Sequence, residues 1–423
     1  MDGKETLMQR DRPDRAKQLA PAAPPGAADV MLDDAVRKFT TELSLREQFE
    51  AWGYAEVVPP IFERYDTLLA GGIRPEWVYR FTDPSGEVLA LRPDLTTQVA
   101  RVVATRLREQ PMPLRLFYVG SVVRRPKPFK GLRTEFSQAG VELVGSSKPI
   151  ADAEVVALAI EAVLRLGVDD FQIHLGQSAF FRGIAEETGL LDTEVSDIKE
   201  LLDRKDRQSL ERFLSGLNLS SEHRQAILAC VDLCGHEEVL DRAYALVQNQ
   251  ASRVAVGNLA EIYQALDECD LKDRSLIDLA EVRGLGYYTG MMIEGFSRSL
   301  SVPILEGGRY DNLIGKFGYG CPAVGCAFDV PRLAAISDSG TPLPRPTAEV
   351  LIRMQASELK EAFALATALR SEGRRVELDV MERDEKEALA YARQQGIADL
   401  ISVDSAGART LDVSTQASRR EEP

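Results

Sequence analysis

The spacing of apolar positions divides this chain into a few distinct stretches. Val36, Phe39, Leu43 and Phe49 recur at helical spacing and predict a first helix over residues 33–51. Asp33 or Asp34 is available as its cap, and Gly53 lies just beyond its end. Residues 54–58 read as a strand stopped by Pro59-Pro60, which cannot continue a sheet ladder. Residues 88–92 form a short β-like run. Residues 114–124 and 134–143 are longer runs, joined by the charged loop 125–132, and predict an antiparallel hairpin. Residues 151–166 are an Ala/Val/Leu helix, and 181–278 read as wholly helical. Strand character returns at 287–293 and 300–304, and 327–336 closes the region as a helix. Strands on both sides of a helical block, without βα alternation, predict an α+β fold with an antiparallel sheet core and a helical insertion.

The flanks are organised differently. Residues 1–28 mix charges with an Ala/Pro stretch ending Pro24-Pro25-Gly26 and read as a flexible tail and a turn. The core is therefore expected over 29–338, with a Pro-rich linker at 339–346. Residues 347–412 then repeat strand, helix, strand, helix, strand, as in a small α/β domain, and 413–423 form a polar tail. In that domain Leu359, Ala362, Phe363, Ala366 and Leu369 form the expected helix face, with Ser357 as cap and Gly373 as stop.

Composition narrows the class. The 423 residues are 44% hydrophobic and 28% charged, enough to bury a core and unlike a disordered chain. The net charge of −15 opposes broad binding to phosphate backbones or anionic lipid. Nucleic acid and membrane are not expected partners. Cys230, Cys234, Cys269, Cys321 and Cys326 are scattered and odd in number, which suits reduced thiols in a cytoplasmic protein. Cys230, Cys234 and His236 invite a metal reading, but no fourth ligand is evident and no metal or other cofactor is expected.

Several clusters could carry chemistry. Arg124, Arg125, Lys127, Lys130 and Arg133 place five cations in ten residues of an acidic chain. Guanidinium groups grip phosphate or carboxylate bidentately, although a solvated loop has the same composition. In the segment from Leu91 to Gln98, Asp94 and Thr96 could hold an α-amino group, or simply cap the following helix. Gln138 and Glu142 lie four apart on one strand face and could line a polar pocket, or face solvent. Two glycine-punctuated loops, Arg283 to Gly290 and Glu306 to Asp311, bring tyrosines beside flexible backbone.

In this order, from residue 28 to 336, these pieces resemble the class II core of the histidyl-tRNA synthetase-like proteins. The resemblance covers the helix–strand ending at Pro60, the Leu91-Arg92-Pro93-Asp94 segment, and the hairpin from Tyr118 to Glu142. It continues through Arg283 to Tyr288, Gly307 to Asp311, and residues 323–333. The tail domain looks like a shortened anticodon-binding domain. Two families share this core: active histidyl-tRNA synthetases and the regulatory subunits of ATP phosphoribosyltransferase. The departures favour the second. Pro126 stands where the synthetases carry an acidic adenine contact, and Leu132 where they carry a basic residue. Asp329 adds a carboxylate near the expected triphosphate; at ~5 Å and an effective dielectric near 20 it would repel one phosphate charge by about 3 kcal/mol. Asp94 replaces a glutamate, in the form associated with regulatory subunits. Residues 345–423 carry twelve Lys and Arg against fifteen Asp and Glu, a poor balance for gripping tRNA.

The resemblance implies a histidine pocket of Asp94, Thr96, Gln138, Glu142, Arg283, Tyr287 and Tyr288, and no catalytic residues. It leaves Arg124, Arg133, Arg309 and Arg332 as the remnant of an anion or nucleotide site. It also implies a short-form ATP phosphoribosyltransferase catalytic subunit as partner in histidine biosynthesis. The chain would be a homodimer within a hetero-octamer, with L-histidine as effector. An active histidine–tRNA ligase and a free-standing histidine sensor are the alternatives.

Overall fold

The computed structural model describes residues 23–125, 133–280, 287–337 and 348–413. The chain forms two compact units, Met1–Ser339 and Gly340–Pro423. In the first, helix α1 (Leu32–Ala51) leads to strand β1 (Ala55–Glu56), β2 (Phe62–Arg64), α2 (Tyr65–Ala70), β3 (Arg80–Thr82) and β4 (Val88–Leu91). Helix α3 (Thr96–Val102) precedes the long hairpin β5 (Leu114–Val123) and β6 (Glu135–Val144). Then come α4 (Pro149–Arg165), β7 (Phe171–Gln177) and α5 (Ser178–Thr188). The insertion continues with α6 (Asp192–Asp203), α7 (Arg207–Ser215), α8 (Ser221–Cys230), β8 (Cys234–Gly235), α9 (Glu238–Leu246) and α10 (Gln250–Glu268). Strands β9 (Ser275–Asp278), β10 (Met291–Ser297), β11 (Leu305–Arg309) and β12 (Ala323–Asp329) lead into α11 (Val330–Ile336).

Nine strands form one sheet in the order β1-β5-β6-β12-β11-β10-β7-β9-β8. Its centre is antiparallel, while β1 on β5 and β9 on β7 are parallel. Side chains alternate between faces, so the odd positions Ala139, Val141 and Leu143 of β6 all point to one side. There they join Phe117, Val324, Phe328, Ile293, Ile173 and Leu175 in the main core, closed by Phe49 of α1 and Val155, Leu158 and Ile160 of α4. The Phe49 ring lies 5.6 Å from Phe117 and 5.7 Å from Phe328. The even positions, including Gln138, Gly140 and Glu142, point to the opposite face, where polar chemistry can collect.

Several expectations need correction. The insertion is not wholly helical, because β8 and β9 extend the main sheet; β9 is a four-residue strand with Ile277 buried, too short to stand out in a helical stretch. The strand expected at 300–304 lies at Leu305–Arg309, and the expected glycine loop is therefore mostly strand. Gly307 serves close strand approach there: a Cβ would lie 2.3 Å from Gly325 O. The helix expected from 327 starts at Val330, capped by Asp329, which accepts from Arg332 N at 3.0 Å. On α1, Phe39 and Leu43 are exposed; the buried face is Thr41, Leu45, Gln48 and Phe49, and neither Asp33 nor Asp34 is its cap residue.

The second unit has β13 (Val350–Arg353), α12 (Leu359–Ser371), β14 (Val376–Leu378), α13 (Glu385–Gln395), β15 (Asp399–Asp404) and β16 (Gly407–Asp412). The order is β14-β13-β15-β16, with β16 an antiparallel fourth strand that the sequence reading missed. Ala362 and Ala366 of α12 pack against one face of the sheet, while Leu359 and Phe363 are exposed. Ser357 does not cap this helix, whose cap residue is Glu358.

Phe49 fills space shared by three elements, so Phe49→Ala is expected to destabilise the first unit by about 3–5 kcal/mol in denaturant unfolding. A loss below ~1 kcal/mol would contradict this placement of α1.

Candidate functional site: a buried acidic pocket on the sheet

The polar face of β5 and β6 meets the start of α3. Register places Glu142 opposite Leu116 on one side and Gly325 on the other, and Gln138 opposite Gly120 and Asp329. Gly325 makes room for Glu142, because a Cβ there would fall 1.8 Å from Glu142 Oε2. Gly140 does the same for Tyr118, whose hydroxyl would lie 2.5 Å from an added Cβ. The Tyr118 ring therefore crosses β6 and its hydroxyl donates to Glu142 Oε1 at 3.3 Å. Tyr310 donates a short hydrogen bond to Glu142 Oε2, and Thr96 Oγ1 lies 3.3 Å from the Tyr118 hydroxyl. Tyr287 stacks edge-on against Tyr288 at 5.0 Å and Tyr310 at 5.9 Å.

Asp94 enters from a clamped loop. Arg92 donates from Nε to Ser121 O at 2.7 Å and from Nη1 to Pro59 O at 2.7 Å. Val123 N donates to Arg92 O at 2.9 Å, and Arg124 Nε to Pro93 O at 2.6 Å. Asp94 is held between these bonds. Its Oδ1 accepts from Thr97 N at 3.0 Å, so it does support the first turn of α3. Among the described residues its Oδ2 is buried without a hydrogen-bond partner, as is Gln138 Oε1. The helix-cap and ligand readings thus meet in one carboxylate, with one oxygen for each.

The electrostatics follow from burial. Desolvation pushes the Glu142 carboxyl up to about 7, against the hydroxyls of Tyr310, Thr96 and Tyr118, which favour its charged form. Asp94 adds a like charge that raises it further. Asp94 is itself raised by burial. Burial, together with the nearby carboxylates, holds the phenols of Tyr118, Tyr287 and Tyr310 well above their ordinary range, so they remain donors. Such a pocket suits a ligand that brings its own positive charge and N–H groups.

The structure brings Asp94, Thr96, Gln138, Glu142, Tyr287 and Tyr288 to this face. Arg283 lies outside the described residues, as do Pro126, Lys127, Lys130 and Leu132. Tyr118 and Tyr310 were not among the expected pocket residues. The pairing of Tyr118 with a glycine across the hairpin, and the position of Tyr310 in the flagged Glu306–Asp311 segment, were the available signals. Of the four arginines expected to mark an anion site, Arg124, Arg133 and Arg332 act on Asp329, which burial raises and these cations lower. Arg332 Nε pairs with Asp329 Oδ2 at 3.0 Å, and Arg124 lies over the Phe136 ring at 5.4 Å. Arg309 stands apart from them: its guanidinium is buried and paired with Asp152 and Asp311. Cys230 is buried within α8, and among the described residues no group of three or more His, Cys, Asp or Glu side chains is placed to hold a metal ion.

A long antiparallel hairpin, a capped helix after β12 and buried carboxylates on one sheet face fit a histidyl-tRNA synthetase-like class II domain, and the family model for histidyl-tRNA synthetase matches residues 26–333. Within that class the chain belongs to the ATP phosphoribosyltransferase regulatory subunit family. The relative from Acetivibrio thermocellus bearing that name is 37% identical over 383 residues, covering 90% of this chain and 92% of the relative. That from Moorella thermoacetica is 37% identical over 384 residues, covering 90% and 98%. A crystal structure from Bacillus halodurans, described as an ATP phosphoribosyltransferase regulatory subunit/histidyl-tRNA synthetase, superposes with a TM-score of 0.81 at 27% identity, covering 91% of this chain and 98% of that one. Histidyl-tRNA synthetase from Nostoc sp. PCC 7120 shares the fold, with a TM-score of 0.76 at 21% identity. Among the described residues no helix is long and apolar enough to cross a membrane.

The raised Glu142 carboxyl has a signed consequence. The native state holds this proton up to about 7, whereas the unfolded chain releases it near 4.5. Glu142 therefore costs the empty protein stability as pH rises from about 4.5 to about 7. Glu142→Gln is expected to flatten the fall in melting temperature over that window; an unchanged slope would remove Glu142 from this role.

Proposed function

We propose that this pocket binds L-histidine, and that the chain uses it to regulate a short-form ATP phosphoribosyltransferase catalytic subunit in the cytoplasm, at the first step of histidine biosynthesis. The observation that carries the reading is the pair of buried carboxylates. Asp94 Oδ2 and Gln138 Oε1, without partners among the described residues, offer acceptors for an α-ammonium group. Glu142, flanked by two phenols, offers an acceptor for an imidazole N–H, and Tyr287 adds an aromatic wall. Arg283 would hold the ligand carboxylate.

The functional assembly in this proposal is a homodimer within a hetero-octamer. Histidine can act on the catalytic subunit only through a difference in its affinity for two states of the complex, typically ~1–3 kcal/mol. Arg124, Arg133 and Arg332 are the remnant of a nucleotide half-site. Asp329 among them opposes a triphosphate, which favours regulation over adenylate formation.

Proton bookkeeping supplies the test. An empty pocket holds a proton on Glu142 below about 7, and free imidazole gains one below about 6.5. The bound pair holds one proton between the two groups. Histidine affinity, measured by titration calorimetry on the full chain, is expected to be greatest near pH 7, with proton release on binding at lower pH and uptake at higher pH. Absence of binding at millimolar histidine would contradict the pocket. Robust histidine-dependent ATP–pyrophosphate exchange by the chain alone would contradict the regulatory role.

A further inference from the structure

Arg309 ends β11 immediately before Tyr310, and its contacts reach three separate parts of the chain. Nε lies 3.0 and 3.2 Å from the two oxygens of Asp152, and Nη2 lies 2.7 Å from Asp152 Oδ2. Nη1 donates to Ser146 O at 2.9 Å and to Asp311 Oδ1 at 3.1 Å. Asp152 sits fully buried near the start of α4. The backbone of Arg309 is engaged as well: its carbonyl accepts from Thr289 N at 2.7 Å and from Thr289 Oγ1 at 3.3 Å. Asp311 N returns to Thr289 Oγ1 at 3.0 Å, and Tyr310 N donates to Ala323 O at 2.8 Å. Arg309 thus ties the segment carrying Tyr287 and Tyr288 to the residue carrying Tyr310, and anchors both to α4.

We propose that Arg309, held by Asp152, is a positioning residue for the ligand pocket, fixing the tyrosine wall and the hydroxyl that Tyr310 presents to Glu142. The proposal rests on the reading of that pocket as a histidine site. A buried ion pair adds little to stability beyond what a well-packed apolar pair would give, so its place at the root of this wall points to geometry. Arg309 touches no ligand. Its effect runs through Tyr310, whose ring packs against Tyr287 and whose hydroxyl meets Glu142.

The test uses the full chain with Arg309→Lys and, as a charge-free pair of similar bulk, the double variant Arg309→Met/Asp152→Leu. Calorimetric histidine affinity is read well below each variant's melting temperature. Both are expected to bind about 10- to 100-fold more weakly while folded, as happens when supporting partners of metal ligands are removed. The pH dependence of melting is read in parallel without ligand. Loss of the Tyr310 hydrogen bond removes a group that favours the Glu142 carboxylate, so the Glu142-dependent slope should extend to higher pH in both variants. Wild-type affinity and an unchanged slope in either folded variant would overturn the proposal. A wild-type chain that binds no histidine would instead overturn the site reading, and the ligand-free slope would still decide the role of Arg309.

Discussion

The structure is organised around the difficulty of burying Glu142. A carboxylate on a sheet face loses its water, and in proteins the penalty is several kcal/mol per ion unless partners replace the solvent. Here the replacements are phenols from two distant points of the chain, Tyr118 on β5 and Tyr310 after β11, with Thr96 at the start of α3 adding a third hydroxyl. Two glycines, Gly140 and Gly325, keep the floor open so that these groups can meet. Hydroxyls lower the cost without cancelling the charge. The protein therefore keeps a buried carboxyl that favours its proton up to about 7.

The neighbouring arginines show the opposite tendency. Arg332 is paired with Asp329 at the start of α11, and Arg124 is held by Pro93 O and by the ring of Phe136. Positive charge that could grip phosphate is partly spent within the protein. The same sheet thus carries, among the described residues, buried acceptors without partners on Asp94 and Gln138, and arginines already engaged by Asp329, Pro93 O and Phe136. That division matches a family whose members regulate an enzyme and share their fold with a ligase.

The hairpin and the following helix were legible because two long β-rich runs joined by a charged loop, and the apolar continuity of α4, are strong signals. Six of the seven expected pocket residues fall on the described face, since their motifs combine residue type with spacing. What was not legible depended on partners distant in sequence. Gly307 and Gly308 read as loop punctuation but lie within β11, where Gly307 lies against the backbone of β12 and Gly308 against Met291 O of β10 and the Tyr288 ring. Phe39 and Leu43 fit a helical stripe, yet α1 presents the face through Leu45 and Phe49 to the core. Arg309 looked like a free cation because nothing local announces Asp152, 157 positions away in the chain. Tyr118 and Tyr310 became pocket residues only once three strands were in register.

The account is tested most directly by a crystal structure of the chain with L-histidine at saturating concentration near pH 7. It predicts the α-ammonium within hydrogen-bond distance of Asp94 Oδ2 and Gln138 Oε1, and an imidazole nitrogen on Glu142. Histidine bound elsewhere, with these three groups unchanged, would contradict it.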